Sequence, residues 1–392
     1  MAVEPPLYLD ACATTPVVPA ALEAMQRAQA LAWANPSSLH GFGLAAAESL
    51  ERSRQQLAAL LGTTGSAVHF CSGATESVHL ALLGVGAGCE RPGRLLISAV
   101  EHPAVRHAAH RLQQQGWQVA ELPVDRSGQV QLDDVERLLQ PPTRLVSILW
   151  GQSEVGTVQP IEAIGQLCRS AGVLLHTDAV QWAPHQPIAF DRLPIDLLSL
   201  SAHKLGGPRG IGALLVRPAI RPQLRSLQGG GDQEAGLRAG TEPVVLAAGF
   251  AAALEIASAT FAPLAQGPLA VRRNRLLQQL LAIPGLQATG PDPLQQLRLP
   301  NHISLVVTRA DGQPLSGRRL VQALWQQGVA ASSGSACSAG QAKPASPVLT
   351  AMGYPAALAA AGLRLSLGPW CEDEQLAQVP QALRRALQAL DS

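Results

Sequence analysis

IEAIGQLCRSAGVLLHTDAVQ, residues 161–181, holds a whole structural unit in a short span. Apolar residues recur at helical spacing from Ile161 to Ala171, and Gly172 can close that helix in the left-handed conformation. The apolar run Gly172–Thr177 then reads as a buried strand, and Asp178 falls just past it. A helix feeding a fully apolar strand is the mark of a parallel sheet covered on both faces. The same alternation extends on both sides, from about residue 65 to 216. Strands are expected at Arg94–Val100, Trp117–Val124, Arg144–Trp150, Ile195–Leu200 and Gly210–Val216. Helices are expected at Ser77–Gly84, Pro103–Gln115 and Leu132–Leu139. The fold class is therefore α/β, with a mostly parallel sheet and ligands at its C-terminal edge.

After Gln228 the texture changes. GGGDQEAGLRAGTEP (229–243) reads as a functional loop, and 243–261 as an alanine-rich buried helix interrupted by Glu255. A second α/β region follows: a strand at Asn301–Val307, a helix over 317–327, a strand at Leu363–Leu367 and a single terminal helix over 372–390. With 392 residues, 47% hydrophobic and 15% charged, the chain is long enough for two or three domains with sizeable cores. A net charge of +1 without a basic stripe argues against a nucleic-acid or anionic-membrane partner. The start MAVEPPLYLD lacks the basic and apolar blocks of a secretion signal. Six cysteines, at 12, 71, 89, 168, 337 and 371, form no CxxC pair, so the expectation is a reduced, cytoplasmic protein without a disulfide framework or structural zinc site.

Several short motifs carry chemistry. In LSLSAHKLGG (198–207), Lys204 follows a strand end; it is either a surface lysine or an amine that forms a Schiff base with an electron-sink cofactor. Asp178 is either a helix cap or a carboxylate for a protonated pyridine nitrogen. CSGATESVHLAL (71–82) leads small residues into a helix, so the N–H groups near Ala74 and the Thr75 hydroxyl offer an anion site. His102, in SAVEHPAV (98–105), can stack on an aromatic ring and carry protons. ASSGSACSAG (331–340) places Cys337 among small residues that cannot pack a core. It lacks the Walker lysine and any GxGxxG pattern of a nucleotide loop.

The set SGATES (72–77), EHPAV (101–105), HTDAVQ (176–181), SAHK (201–204), RAGT (238–241) and SSGSAC (332–337) resembles the cysteine desulfurases, pyridoxal-phosphate enzymes of fold type I in the class V aminotransferase superfamily. The resemblance runs from YLDACATTP near the N-terminus to RLSLG at 364–368. It implies a large domain, 14–262, with a mostly parallel seven-stranded sheet, and a smaller α/β domain made of 1–13 and 263–392. That smaller domain would bear a mobile cysteine loop at about 331–347. The implied cofactor is pyridoxal 5'-phosphate. Lys204 would carry it, and Ala74, Thr75, Ser201 and His203 would hold its phosphate. Asp178 would pair with the ring nitrogen, Gln181 would reach the ring hydroxyl, and His102 would stack on the ring. Thr241 would complete the phosphate site from the other subunit of a homodimer. Asn35 and Arg364 would bind the substrate carboxylate, the arginine through its planar fork.

The implied reaction converts L-cysteine to L-alanine and leaves the sulfur as a persulfide on Cys337. The loop length resembles the group that serves iron–sulfur scaffold proteins, in which Cys337 would also be a transient ligand of a nascent cluster. Ser153 stands where the family has an asparagine that contacts the cofactor ring oxygen or the substrate. Serine is shorter, so that contact is lost, bridged by water or taken over by Gln152. Trp150 and Gly151 also depart from the pattern, and Ala202 replaces a glycine common before the His-Lys pair. The alternatives are a selenocysteine or cystine lyase of the same fold, which need not use a loop thiol, and a non-catalytic sulfur-assembly subunit.

Overall fold

The structure is a computed structural model that describes residues 6–293, 296–309, 311–334 and 345–391. The strands, in chain order, are β1 (Leu7–Tyr8), β2 (Val68–Cys71), β3 (Arg94–Ser98), β4 (Gln118–Leu122), β5 (Thr143–Ser147), β6 (Leu174–Asp178), β7 (Leu197–Ser201) and β8 (Gly212–Val216). They are followed by β9 (Leu286–Ala288), β10 (His302–Val307), β11 (Val329–Ala330) and β12 (Gly362–Ser366).

Strands β2 to β8 form one seven-stranded sheet in the order β2-β8-β7-β6-β5-β3-β4. β3 to β7 are mutually parallel wherever they pair, each joined to the next by a crossover. β8 runs antiparallel to both β7 and β2. The reason is the link from Ser201 to Gly212, which makes only a short 3-10 turn. A parallel return needs a crossover of a dozen residues or more. This tight link is the segment that carries Lys204.

The reading of helix and strand type holds along the chain, with shifted ends. The helix over 77–84 spans Ala74–Gly88, which brings Ala74 and Thr75 into its first turn. Strand β2 precedes it. The terminal helix is two helices, Asp373–Leu376 and Val379–Asp391. Pro380 sits in the first turn of the second, where its missing N–H breaks no bond but restarts the ladder. The alanine-rich helix, Val244–Ser258, buries one side against helices Pro19–Leu31 and Gly41–Leu60. Among the described residues, no helix is long and apolar enough to cross a membrane.

The core follows the sheets. One cluster under the large sheet joins Leu96, Val146, Leu175, Leu198 and Phe250, and a second lies on its other face around Leu82, Ile97 and Leu214. The antiparallel sheet β12-β10-β9 has its own cluster, in which Leu7 and Leu9 pack with Leu280, Ile303 and Leu365. The N-terminal segment thus joins the C-terminal layer, and β1 pairs with β11.

Candidate active site

A cleft of about 590 Å³ opens where the C-terminal ends of β5, β6 and β7 face the N-terminal turn and β12. At its floor, Asp178 ends β6 and is buried, with Oδ1 accepting the Val180 N–H at 3.0 Å. Burial raises its carboxyl, and the Val180 N–H and the Lys204 ammonium oppose that rise. Gln181 lines the same wall and donates from Nε2 to the Cys12 carbonyl at 2.9 Å.

Lys204 leaves β7 on the 3-10 turn Ala202–Lys204. Its Nζ donates to the carbonyls of Cys12 at 2.6 Å and Ala13 at 2.7 Å, so the amine is held over the cleft by the N-terminal turn. That turn is itself fastened to the lysine loop. The Thr15 hydroxyl donates to the His203 carbonyl at 3.0 Å, and the Gly206 N–H donates to Thr15 Oγ1 at 2.9 Å. His203 Nδ1 lies 3.1 Å from Thr14 Oγ1. Burial, with the charges of Lys204 and Arg209, pushes the His203 imidazole down to about 4, so it is neutral at physiological pH.

The end of the cleft expected to take a phosphate is formed by the N-terminus of the helix Ala74–Gly88, where Ser72, Gly73, Ala74 and Thr75 line it. Gly73 has φ 157° and ψ −179°, a conformation closed to L side chains, which turns the strand end into the helix. Ser201, at the end of β7, borders the same space. Glu76 closes the far side, accepting from the Ser72 N–H at 2.6 Å and from Arg238 at 3.0 Å.

His102 caps the helix Pro103–Gln114, its Nδ1 accepting the Ala104 N–H at 3.1 Å. A neutral His102 therefore carries its proton on Nε2. On the opposite wall, Arg364 is buried on β12. Its Nη2 pairs with Asp10 Oδ1 at 2.7 Å, and Nη1 donates to the carbonyls of Ser153 at 3.0 Å and Gly334 at 3.1 Å. Nε is buried and has no partner among the described residues, so the Nε edge is the part of the fork that has a bond to give.

Ten of the expected site residues thus meet in one cleft: the phosphate, ring and lysine groups together with Ser153 and Arg364. Thr241 and Asn35 do not reach it within one chain. Both border a separate surface depression beside Trp33 and Pro243. Asn35 spends its Oδ1 on the Ser37 N–H at 2.9 Å. Cys337 lies outside the described residues, as does its reading as a cluster ligand. Among the described residues, no three His, Cys, Asp or Glu side chains gather as a metal site.

Gln152 cannot take over the contact of the missing asparagine. Its Oε1 accepts the N–H groups of Glu154 at 2.5 Å and Val155 at 2.9 Å, and its Nε2 donates to the Val100 carbonyl at 3.3 Å. Ser153 faces the cleft, with its carbonyl held by His302 Nε2 at 2.8 Å as well as by Arg364. Trp150 stacks on Trp182, with ring centroids 4.4 Å apart and planes within 6°, and donates its backbone N–H to the Asp178 carbonyl at 2.9 Å. The pair thus braces the turn that carries Asp178 and Gln181.

Sequence reasoning passed over Glu101, Glu154 and the carbonyls of Cys12 and Ala13. Glu101 and Glu154 lie inside stretches that were read, but only their neighbours were given roles. Glu154 Oε2 accepts the Ser346 hydroxyl at 2.6 Å. Burial raises its carboxyl against that bond and the positive Arg364.

A helix N-terminus for a phosphate, a buried carboxylate for a ring nitrogen and a lysine amine between them fit pyridoxal phosphate, and they define the site of a pyridoxal-phosphate enzyme of fold type I. The chain belongs to the family Aminotransferase class-V, which it matches over residues 7–379. It is 36% identical over 385 residues to a cysteine desulfurase IscS of Methanosarcina thermophila, covering 98% of this chain and 92% of the relative. It is 37% identical over 374 residues to a cysteine desulfurase of Homo sapiens, covering 95% and 79%. A solved structure described as a NifS-like protein superposes with a TM-score of 0.88 at 32% identity, covering 98% of this chain and 99% of that one. Another, described as SspA in complex with cysteine, gives 0.79 at 33% identity, covering 93% and 100%.

Proposed function

We propose that this protein is a pyridoxal-phosphate-dependent cysteine desulfurase, which converts L-cysteine to L-alanine and passes the sulfur through Cys337 to an acceptor for iron–sulfur cluster assembly and other sulfur-containing cofactors. The observation that carries the reading is the meeting of Lys204, Asp178, His102 and Arg364 in one cleft. Pyridoxal phosphate, when bound, supplies an electron sink for charge drawn from the amino acid's α-carbon.

The chain's own residues do the rest. The N–H groups at Ala74, with Thr75, Ser201 and His203, would hold the phosphate. Asp178 would keep the ring nitrogen protonated, Gln181 and Ser153 would face the ring oxygen and the substrate, and His102 would cover the ring. Arg364, fixed by Asp10 at Nη2, would take the substrate carboxylate. Lys204 carries the cofactor between turnovers, and its amine then takes and returns the α-proton. His102 Nε2 exchanges protons at the sulfur end of the substrate. Cys337, as thiolate, attacks the substrate sulfur. An S–S bond forms, the Cβ–S bond breaks, and its electron pair stays on carbon, which takes a proton and becomes the methyl group of alanine. Atoms and electrons balance without an added oxidant or reductant.

Incubation with L-cysteine should release alanine and add the mass of one sulfur atom to the Cys337 peptide. Cys337→Ser should abolish sulfur transfer. Undiminished sulfur release from that variant would identify a lyase instead.

The working unit is a homodimer. Leu31, Trp33, Leu39, Phe42 and Leu44 are exposed together, with Trp33 and Phe42 rings 5.6 Å apart. Such an apolar patch is covered in stable proteins. Thr241 and Asn35 border its edge, which supports a place for both at the contact between copies. A Trp33→Asp, Phe42→Asp double variant should sediment as a monomer and bind the cofactor less tightly. A monomeric wild type would sink the dimer and the role of Thr241 with it. The chain divides into 14–262 and the smaller unit 1–13 with 263–392, a division supported by the packing of Leu7 and Leu9. Cytoplasmic residence is our reading of the sequence pattern, six cysteines without a CxxC pair.

A further inference from the structure

Glu101 is a buried carboxyl in the wall of the active cleft for which the mechanism above has no use. It bridges two strand ends. Its Oε1 accepts the Ser98 hydroxyl at 2.5 Å, at the end of β3, and the Leu149 N–H at 3.1 Å, just beyond β5. Its Oε2 is buried with no partner among the described residues. Of the other carboxyls that line the cleft, Asp178 is the one whose charge acts on Glu101. The two are compensated unequally: Asp178 has the Val180 N–H and the Lys204 ammonium, whereas Glu101 has only neutral donors, all on one oxygen.

Two neighbouring carboxyls out of water do not both ionise, and the one with poorer compensation keeps the proton. We infer that Glu101 is a positioning residue held as the neutral acid, with its proton on Oε2, so that Asp178 remains the single anion of the cleft floor. The inference rests on the pyridoxal-phosphate reading only for the use made of Asp178, not for the protonation of Glu101. Burial, reinforced by the negative Asp178 and opposed by the bonds from Ser98 and Leu149, pushes the Glu101 carboxyl up to about 8. The charged and titratable groups that bear on it are Asp178 from β6 and, next in the chain, His102.

The test uses the unloaded protein first. A folded pKa raised above the unfolded value means that the native state holds a proton which the unfolded chain releases. Stability from this group is therefore complete below the unfolded carboxyl range and declines as pH rises to about 8. Between pH 7 and 8 the unfolding constant of wild type should grow by up to about tenfold per pH unit relative to Glu101→Gln, which cannot titrate. Superimposable pH profiles would overturn the inference. If Glu101→Gln does not fold, infrared spectroscopy of the wild type decides: a protonated carboxyl present at pH 7 and lost above pH 8 supports the inference, and none at pH 7 overturns it. In the loaded protein, Glu101→Gln should keep the cofactor dissociation constant within about threefold, because it preserves a neutral side chain and the acceptor for Leu149. A larger loss, beside the expected pH profile, would fault the use made of Asp178 and leave the protonation standing.

Discussion

Lys204→Ala, supplied with pyridoxal phosphate and L-cysteine, is expected to form alanine at least about a thousandfold more slowly than wild type, the loss typical of removing a covalent catalytic group. The prediction follows from the position of the amine. Lys204 Nζ is held between the Cys12 and Ala13 carbonyls on the lip of the cleft, and it is the one lysine among the described residues; Lys343, the other lysine of the chain, lies outside them. The variant should still bind the cofactor through Asp178 and the helix N-terminus, but reversibly. Borohydride treatment should fix the cofactor to wild type and leave the variant unlabelled. Labelling of Lys204→Ala, or retention of a tenth of the activity, would remove Lys204 from the mechanism.

The largest expected loss of stability lies away from the chemistry. Glu234 is buried in the loop 229–243 and bonds to both Nη atoms of Arg54, at 2.7 and 2.9 Å, and to the Phe70 N–H at 2.8 Å. Glu234 and Ala235 are consecutive left-handed residues, with φ of 52° and 55°, in a region that costs a non-glycine residue about 1–2 kcal/mol. The three bonds of Glu234 hold that turn against its strain. Glu234→Ala leaves the mostly buried Arg54 with only the half-exposed Glu51 and the Val68 carbonyl as partners and should lower the unfolding free energy by roughly 3 kcal/mol, read as a shifted urea midpoint at unchanged slope. Ala235→Gly should be neutral or stabilising by up to about 1 kcal/mol, because glycine accepts the same turn without a Cβ clash. If both changes destabilise equally, the loop is not held by this ion pair.

How much of this was legible in the sequence depended on where the information lies. Lys204, Asp178, Thr75 and His102 each stand just past a strand or at the start of a helix, and chain direction alone places such positions at one sheet edge. Arg364 could be assigned only by resemblance. Nothing local in RLSLG indicates that Asp10, far away in the chain, would pair with its fork. The same holds for Lys204, whose amine meets carbonyls of the N-terminal turn. Beneath the sheet, His176 links Ser147 at 2.8 Å and Ser199 at 2.9 Å, and Ser77 joins Ser199 at 2.7 Å. This fully buried network, with the imidazole pushed down to about 3 by burial, ties β5, β6, β7 and the phosphate helix together. Each member looks ordinary alone, because the sheet register that aligns them is a tertiary property. Glu101 was missed for the opposite reason. It stood in a motif already read, but its importance lies in which of its oxygens finds a partner, and sequence does not carry that.

The stacked indoles of Trp150 and Trp182 give the molecule an internal light meter. They sit directly behind the turn that presents Asp178 and Gln181, within the distance over which a bound chromophore absorbing near 400 nm takes up indole emission. Filling the cleft therefore dims the protein's own fluorescence, and emptying it restores the signal. Because the two rings are stacked nearly parallel, a small tilt of that turn changes their coupling as well. Occupancy and alignment of the site can thus be followed optically, on the unlabelled chain, while the chemistry runs.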